Sequence, residues 1–137
     1  MATNPQISYA AANAEANALA ALLNGGKLRV YSGAIPTHAD DSIASATLLC
    51  EFTMNATAFG AASNGAITAN TIAAVTIATG GVQSFFRCWD SAGTTCYIQG
   101  TAGASGCDMN FGAASLVAGA QASITDNSFT HTVVRGA

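Results

Sequence analysis

The chain has 137 residues, of which only 8% are charged, and its formal net charge is −3 at pH 7. Four scattered lysines and arginines are too few to neutralise phosphates or bind an anionic bilayer surface, so the composition argues against nucleic-acid and membrane-surface binding. Soluble domains carry about 25% charged residues, and a surface of Ala, Thr and Asn is poorly protected against association. The composition is typical of a protein made for assembly, and the length predicts a single domain, residues 1–137.

The first predicted element is a helix over residues 7–24, a segment dominated by alanine. Its apolar side chains recur at spacings of three and four and form one stripe: Tyr9, Ala12, Ala16, Leu19 and Leu23. The run Asn24-Gly25-Gly26 ends the helix, because glycine accepts the left-handed conformation that closes a helix. We expect the stripe to pack on the chain's own domain.

The N-terminal segment has no basic region, and polar residues interrupt its apolar part, so it does not predict a secretory signal. The sequence contains no run of about 18 apolar residues that predicts a membrane span. We therefore expect the protein to fold in a reducing cytoplasm.

After Gly26 the hydrophobic pattern changes to alternation, which predicts strands with one buried face. The alternating sets are Leu28 and Val30; Leu48, Cys50, Phe52 and Met54; Ala73, Val75 and Ile77; Phe86, Cys88, Cys96 and Ile98; and Phe129, His131 and Val133. Turn residues separate these runs, for example at 63–65 and 126–128. Eight or nine short strands predict an all-β fold, an antiparallel jelly-roll-like sandwich over residues 27–135 with one N-terminal α-helix.

The clearest predicted hairpin spans residues 85–100, with Asp90 to Gly93 suited to a type I turn followed by a glycine bulge. This register pairs Asp90 with Thr94, Trp89 with Thr95 and Cys88 with Cys96. It places three side chains on the face opposite Phe86, Cys88, Cys96 and Ile98, namely Arg87, Trp89 and Tyr97. These residue types are enriched at interface hot spots, so the three are candidate protein-interface residues. The equally open alternative is that a loop of the same chain covers them.

No arrangement of residues predicts an enzyme, a metal site or a cofactor site. His38 and His131 are not accompanied by a G-x-S-x-G elbow, and Asp40-Asp41 lacks the spaced set of oxygen ligands that calcium needs. The cysteines form no C-x-x-C pair. Because free cysteine packs well as a small hydrophobe and the expected compartment is reducing, we predict four reduced, metal-free thiols: Cys50, Cys88, Cys96 and Cys107.

The order of several segments resembles a family of small phage structural proteins. The segments are ANAEANALAALLNGGKLRVYSG, LLCEFTMNATAFGAASNGAITANTI, FFRCWDSAGTTCYIQGTAG and SLVAGAQASITDNSFTHTV. In that family a helix ending in Asn-Gly leads to a Leu-Arg-Val-Tyr strand, and a Phe-Arg strand meets a Gly-Thr-Thr hairpin. The similarity covers nearly the whole chain and is greatest to the jelly-roll cement, or decoration, proteins of tailed-phage capsids, of the kind found in a Bordetella-type short-tailed phage.

The resemblance implies a homodimer that binds the outside of a phage capsid and stabilises junctions between subunits of the major capsid protein. It carries no catalytic residues to this chain, and it implies a location on the virion exterior after assembly in the host cytoplasm. Two other classes share the composition and the β pattern. One is a phage tail or baseplate structural protein, and the other is a carbohydrate-binding β-sandwich, for which Trp89 and Tyr97 would be the exposed aromatic residues.

Overall fold

The computed structural model describes residues 5–43, 45–124 and 129–136. Within these ranges the chain is mostly β with one helix, as the sequence predicts. The elements in chain order are α1 Tyr9–Leu22, β1 Lys27–Ser32, β2 Thr47–Thr53, β3 Ala66–Thr68, β4 Val75–Thr76, β5 Phe85–Trp89, β6 Cys96–Gly103, β7 Met109–Asn110, β8 Gln121–Ala122 and β9 Thr130–Thr132.

Helix α1 lies inside the predicted range 7–24. It begins after Ser8, whose hydroxyl oxygen accepts a 3.1 Å hydrogen bond from the N–H of Ala11 and so satisfies one of the unpaired donors of the first turn. Its last residue is Leu22 and its C-cap is Leu23, and Gly25 adopts a φ of +65° two residues after the cap. The predicted stripe packs on the domain except at Tyr9, which is 47% exposed. Ala16 and Leu23 belong to the core, and Leu19 packs against it.

Three asparagines attach the helical segment to the strand-and-turn region that follows β2. Their side-chain oxygens accept backbone hydrogen bonds: Asn13 from Gly65 at 2.7 Å, Asn17 from Ala62 at 2.9 Å and Asn24 from Ala58 at 2.9 Å. The helix is therefore held by polar contacts along one side as well as by its apolar stripe.

The largest sheet has five strands, in the order β2-β1-β5-β6-β7. The first three pairings are antiparallel, but β6 and β7 run parallel, with Ala102 opposite Met109. The expectation of a wholly antiparallel arrangement is therefore wrong at this pair. The reason is local, because Asp108 Oδ2 accepts a 2.9 Å hydrogen bond from the N–H of Thr101 and holds the short 104–108 turn against β6.

Two further two-stranded pairs, β3–β9 and β4–β8, contribute side chains to the same core as this sheet. Phe129, which precedes β9, contacts Phe86 of the sheet and Phe59, with 5.5 Å between ring centroids in each case. Side chains from all these elements form one buried cluster, including Leu28, Phe52, Ile67 and Ala122. The predicted strand at 73–77 is reduced to Val75–Thr76, and the predicted turn at 126–128 lies outside the described residues.

A bulge in the β1–β2 pair changes which leucine is buried. Val30 pairs with Cys50 but Tyr31 pairs with Leu48, which leaves Leu49 as the extra residue. Leu49 is fully buried and Leu48 is 41% exposed. The expectation that Leu48 shares the core face of Cys50 and Phe52 is therefore wrong, because simple alternation does not anticipate an inserted residue.

The described ends of the chain are joined to each other. The N–H of Ile7 donates a 2.8 Å hydrogen bond to the carbonyl oxygen of Arg135. The Arg135 guanidinium in turn lies 3.8 Å from the ring centroid of Tyr9, a cation–π contact that covers part of this exposed tyrosine. We refer to these contacts as the terminal clasp.

Candidate interface and groove on the outer face of the sheet

The face of β1, β5 and β6 that is turned away from the core is rich in polar and aromatic side chains, and we call it the outer face. Cross-strand register places Arg29 beside Arg87, and Arg87 beside Gln99. The same register places Tyr31 beside Phe85, whose rings stack with 4.9 Å between centroids. Burial raises the pKa of the Tyr31 hydroxyl above its ordinary value, and the nearby Arg29 guanidinium opposes this only in part.

The three predicted interface residues do not share this face. Trp89 pairs with Cys96 and Cys88 pairs with Ile98, so Tyr97 is the extra residue of a bulge. Tyr97 packs against the core cluster instead. Cys96, expected on the core face, lines a groove on the outer face. The turn itself forms as predicted, with Gly93 at φ +73° and its N–H bonded to the carbonyl oxygen of Asp90, but the pairing register is wrong.

Arg87 is buried, with only 2% of its surface exposed. Its Nε donates a 2.8 Å hydrogen bond to Gln99 Oε1, and its Nη2 donates a 3.1 Å bond to the carbonyl oxygen of His38. Gln99 Nε2 also donates a 2.7 Å bond to the carbonyl oxygen of Pro36. These bonds hold the irregular segment 33–43 across the outer face. The alternative that a loop of the same chain covers the predicted interface residues is therefore correct for Arg87.

Trp89 is half-buried at the end of β5 and contacts two cations. The Cζ atoms of Arg29 and Arg87 are 5.2 Å and 5.9 Å from its ring centroid, within the range of cation–π contacts. Arg29 also forms a 2.7 Å ion pair with Glu51. Among the described residues the buried indole Nε1 forms no hydrogen bond of standard geometry, although its proximity to the Tyr31 hydroxyl acts to lower the pKa of that group. Trp89 thus packs against two guanidinium groups of the same chain, while part of its side chain remains accessible to solvent.

A groove of about 500 Å³ opens between the 39–43 segment and the outer face. We call it the outer groove. Asp40 and Asp41 lie on its loop side, and Arg87, Trp89 and the end of the hairpin at 94–96 form the opposite side. Sequence reasoning identified Arg87 and Trp89 but did not connect them with Asp40, because nothing in the local pattern shows that the 33–43 loop folds across β5.

The histidines lie in different surroundings. His38 is exposed on the loop, where its Nδ1 is 3.4 Å from Asp41 Oδ2. His131 is half-buried in β9 and lines a second cavity of about 340 Å³ together with Asp108 and Phe129. Burial lowers the pKa of His131 below its ordinary value.

The four cysteines are free thiols in the structure. The expected pairing of Cys88 with Cys96 does not occur, because Cys88 faces the core opposite Ile98. Burial raises the pKa of the Cys50 thiol to about 11, and it raises that of Cys88 well above its ordinary value, with a smaller effect from nearby Cys96. The buried thiols are therefore poor nucleophiles at neutral pH.

Within the described ranges, no group of three or more His, Cys, Asp or Glu side chains is placed to hold a metal ion. The described helix is too short to cross a membrane. Comparison with known proteins identified no relative: no protein-family model, no curated protein and no solved structure matches the chain.

Proposed function

We propose that this protein is a structural virion protein that binds the outside of a tailed-phage capsid as a cement, or decoration, protein. Its fold in this proposal is of the jelly-roll type, in which the β3–β9 and β4–β8 pairs act as the second layer over the five-stranded sheet. The proposal rests on two observations. The first is the resemblance of four sequence segments, in their order along the chain, to that family, and the second concerns the surface.

That observation is an exposed valine pair beside an isolated β-bridge. Gly81 and Leu116 form the bridge through two backbone hydrogen bonds of 2.8–2.9 Å. Leu116 is buried, so the neighbours on either strand turn outward, and Val82 and Val117 are 64% and 63% exposed. These two outward-facing valines, on a chain with only 8% charged residues, support docking through apolar contact, because charged residues are depleted at the centre of protein interfaces.

The proposed partner is the major capsid protein, and the proposed binding form is a homodimer. A small β domain that bridges a junction adds contact area that must be broken before capsid subunits separate, and repeated binding over a lattice adds avidity. Apolar docking predicts that binding persists at high salt, because screening weakens exposed ion pairs within about 10 Å at 0.1 M ionic strength.

The test is binding to capsids assembled from the major capsid protein of the same phage genome. We expect the wild-type protein to remain bound from low to high salt and to raise the temperature at which the capsids burst. Val82→Asp and Val117→Asp should each weaken binding by about thirtyfold, the equivalent of losing about 2 kcal/mol per site. Val134→Asp is the matched control, because Val134 is 86% exposed but lies near the terminal clasp.

The outer face is tested in the same assay with Trp89→Ala. If this variant folds but detaches, docking includes the outer face; if it stays bound while the valine variants detach, docking uses the valine pair alone. Failure of the wild type to bind capsids, or release by modest salt, would contradict the proposal. Binding to tails or baseplates instead would assign the protein to the other structural class, and sedimentation as a monomer would contradict the dimer.

A further inference from the structure

The outer groove has no part in docking through the valine pair, yet it has the dimensions of a ligand site. Its volume of about 500 Å³ lies within the range of about 300–1,000 Å³ typical of small-molecule sites. Its lining is mixed: Trp89 and Ile43 provide apolar surface, and Asp40, Arg87 and Thr95 provide polar groups. Such convergence of a few polar groups on a partly apolar cavity is the usual arrangement of a binding site.

Arg87 is the unusual member of this lining, because a buried cation ordinarily has a carboxylate partner. The ion pairs of the described residues join Arg29 to Glu51 and His38 to Asp41, so Arg87 has none among them. Its Nε and Nη2 are used within the chain, whereas its Nη1 donates no hydrogen bond to a described residue. The two N–H groups of Nη1 thus remain for a molecule in the groove.

Asp40 provides the complementary group. It is exposed on the loop side of the groove and forms no ion pair or hydrogen bond with another described residue. Asp41 carries a second carboxylate on the same side, although it already accepts a 2.9 Å hydrogen bond from the N–H of His38. The groove therefore offers one cation and two carboxylates, a balance that disfavours an anionic ligand.

We propose that the outer groove binds a neutral saccharide. Sugar hydroxyls both donate and accept, so one ring accepts from Arg87 Nη1 and donates to the Asp40 carboxylate, while its C–H groups pack against the exposed part of Trp89. An anion has no donor for Asp40, and a cation has no acceptor for Arg87. This site does not require Tyr97, which lies on the other side of the sheet, and it does not depend on capsid binding.

The test uses the single tryptophan of the chain, Trp89, as the reporter. Glucose, galactose, mannose and N-acetylglucosamine are titrated separately into the full chain, a glycan array is probed in parallel, and sodium sulfate and sodium acetate serve as anion probes. We expect a saturable change in Trp89 fluorescence with at least one sugar and none with the anions. Asp40→Asn should weaken that binding by about tenfold or more, since hydrogen bonds to charged groups are the stronger ones.

Glu15→Gln is the matched control, because Glu15 is exposed on α1, away from the groove, and its variant also loses one negative charge. Trp89→Phe, followed by calorimetry, keeps an aromatic ring and should retain weakened binding. The proposal is overturned if no sugar binds in solution or on the array, if the anions bind in place of sugars, or if Asp40→Asn and Glu15→Gln alter binding equally. Folding of Asp40→Asn is checked by circular dichroism. Asp40 is chosen for substitution because it is exposed, whereas substitution of the buried Arg87 would disturb the fold.

Discussion

Asn13 and Gly65 are joined by a 2.7 Å hydrogen bond, from the backbone N–H of the glycine to the side-chain oxygen of the asparagine. Gly65 is buried with a φ of +77°, and a Cβ added there would lie 3.2 Å from the Cβ of Ala12. The helix and the turn at 63–66 are therefore in direct contact, and this contact leaves no space for a larger residue in the turn.

Replacing Asn13 by alanine should lower the free energy of unfolding by about 1–2 kcal/mol, because it leaves the buried N–H of Gly65 unpaired, a loss only partly offset by the higher helix propensity of alanine. Urea unfolding measures the change. Asn17→Ala should cost less, since its bond to Ala62 is exposed, and Glu15→Ala is the control for helix propensity. Equal effects of the three variants on the free energy of unfolding would show that the hydrogen bond from Gly65 to Asn13 adds no stability of its own.

Thiol reactivity should follow burial. In the native protein at about pH 8, Cys107, which is partly exposed, should react first with a disulfide reagent, and Cys96 should follow more slowly, because only the thiolate attacks and burial raises the Cys96 pKa. Cys50 and Cys88 should react only on unfolding. Denatured protein prepared without reductant should titrate as four thiols, and Cys107→Ser should lack the fast phase. A count of two thiols would reveal a disulfide.

Stability should fall on acidification through His131. Its pKa is lowered in the folded protein by burial, so the unfolded chain binds the proton more readily, and the folded state loses stability as the pH drops below the ordinary value of about 6.5. His131→Gln should flatten this part of the pH profile in urea unfolding experiments. His38→Gln, which removes an exposed imidazole, should retain the slope; loss of the slope in that variant would assign it to the loop instead.

The 33–43 loop should depend on Gln99. Its side chain holds both Arg87 and the carbonyl oxygen of Pro36, so Gln99→Ala should release the loop and accelerate proteolytic cleavage within 33–43 several-fold, since cleavage follows the population of the open form. Gln121→Ala is the control, because among described residues the Gln121 side chain bonds only the exposed Thr76 hydroxyl. Unchanged cleavage in Gln99→Ala would show that other contacts hold the loop.

Sequence patterns predicted features that depend on near neighbours. The helix followed from the spacing of its apolar residues and from Gly25, and β1 followed from the alternation of Leu28 and Val30. The two bulges were not predicted, because the extra residues Leu49 and Tyr97 arise from the way each strand pairs with its neighbour. Each bulge shifts by one residue the pattern of side chains that face the core and side chains that face outward. The prediction that Arg87, Trp89 and Tyr97 share one face was wrong for this reason.

The candidate site was only half predicted for a similar reason. Arg87 and Trp89 stood out as residue types, but what covers Arg87 is the carbonyl oxygen of His38, 49 residues earlier in the chain. The asparagine contacts of α1 and the turn that follows it span 34 to 52 residues. Contacts between residues so far apart in the chain do not affect the local hydrophobic period. A single sequence therefore indicates which residues are unusual but not which residues they contact.

The terminal clasp has a practical consequence for anything attached to this protein. Because Ile7 and Arg135 are hydrogen-bonded neighbours, a peptide or domain fused ahead of the helix leaves the surface at the same place as one fused after the last strand. Fusions at the two positions are thus geometrically equivalent, and a short linker is enough to connect them in a circular permutant.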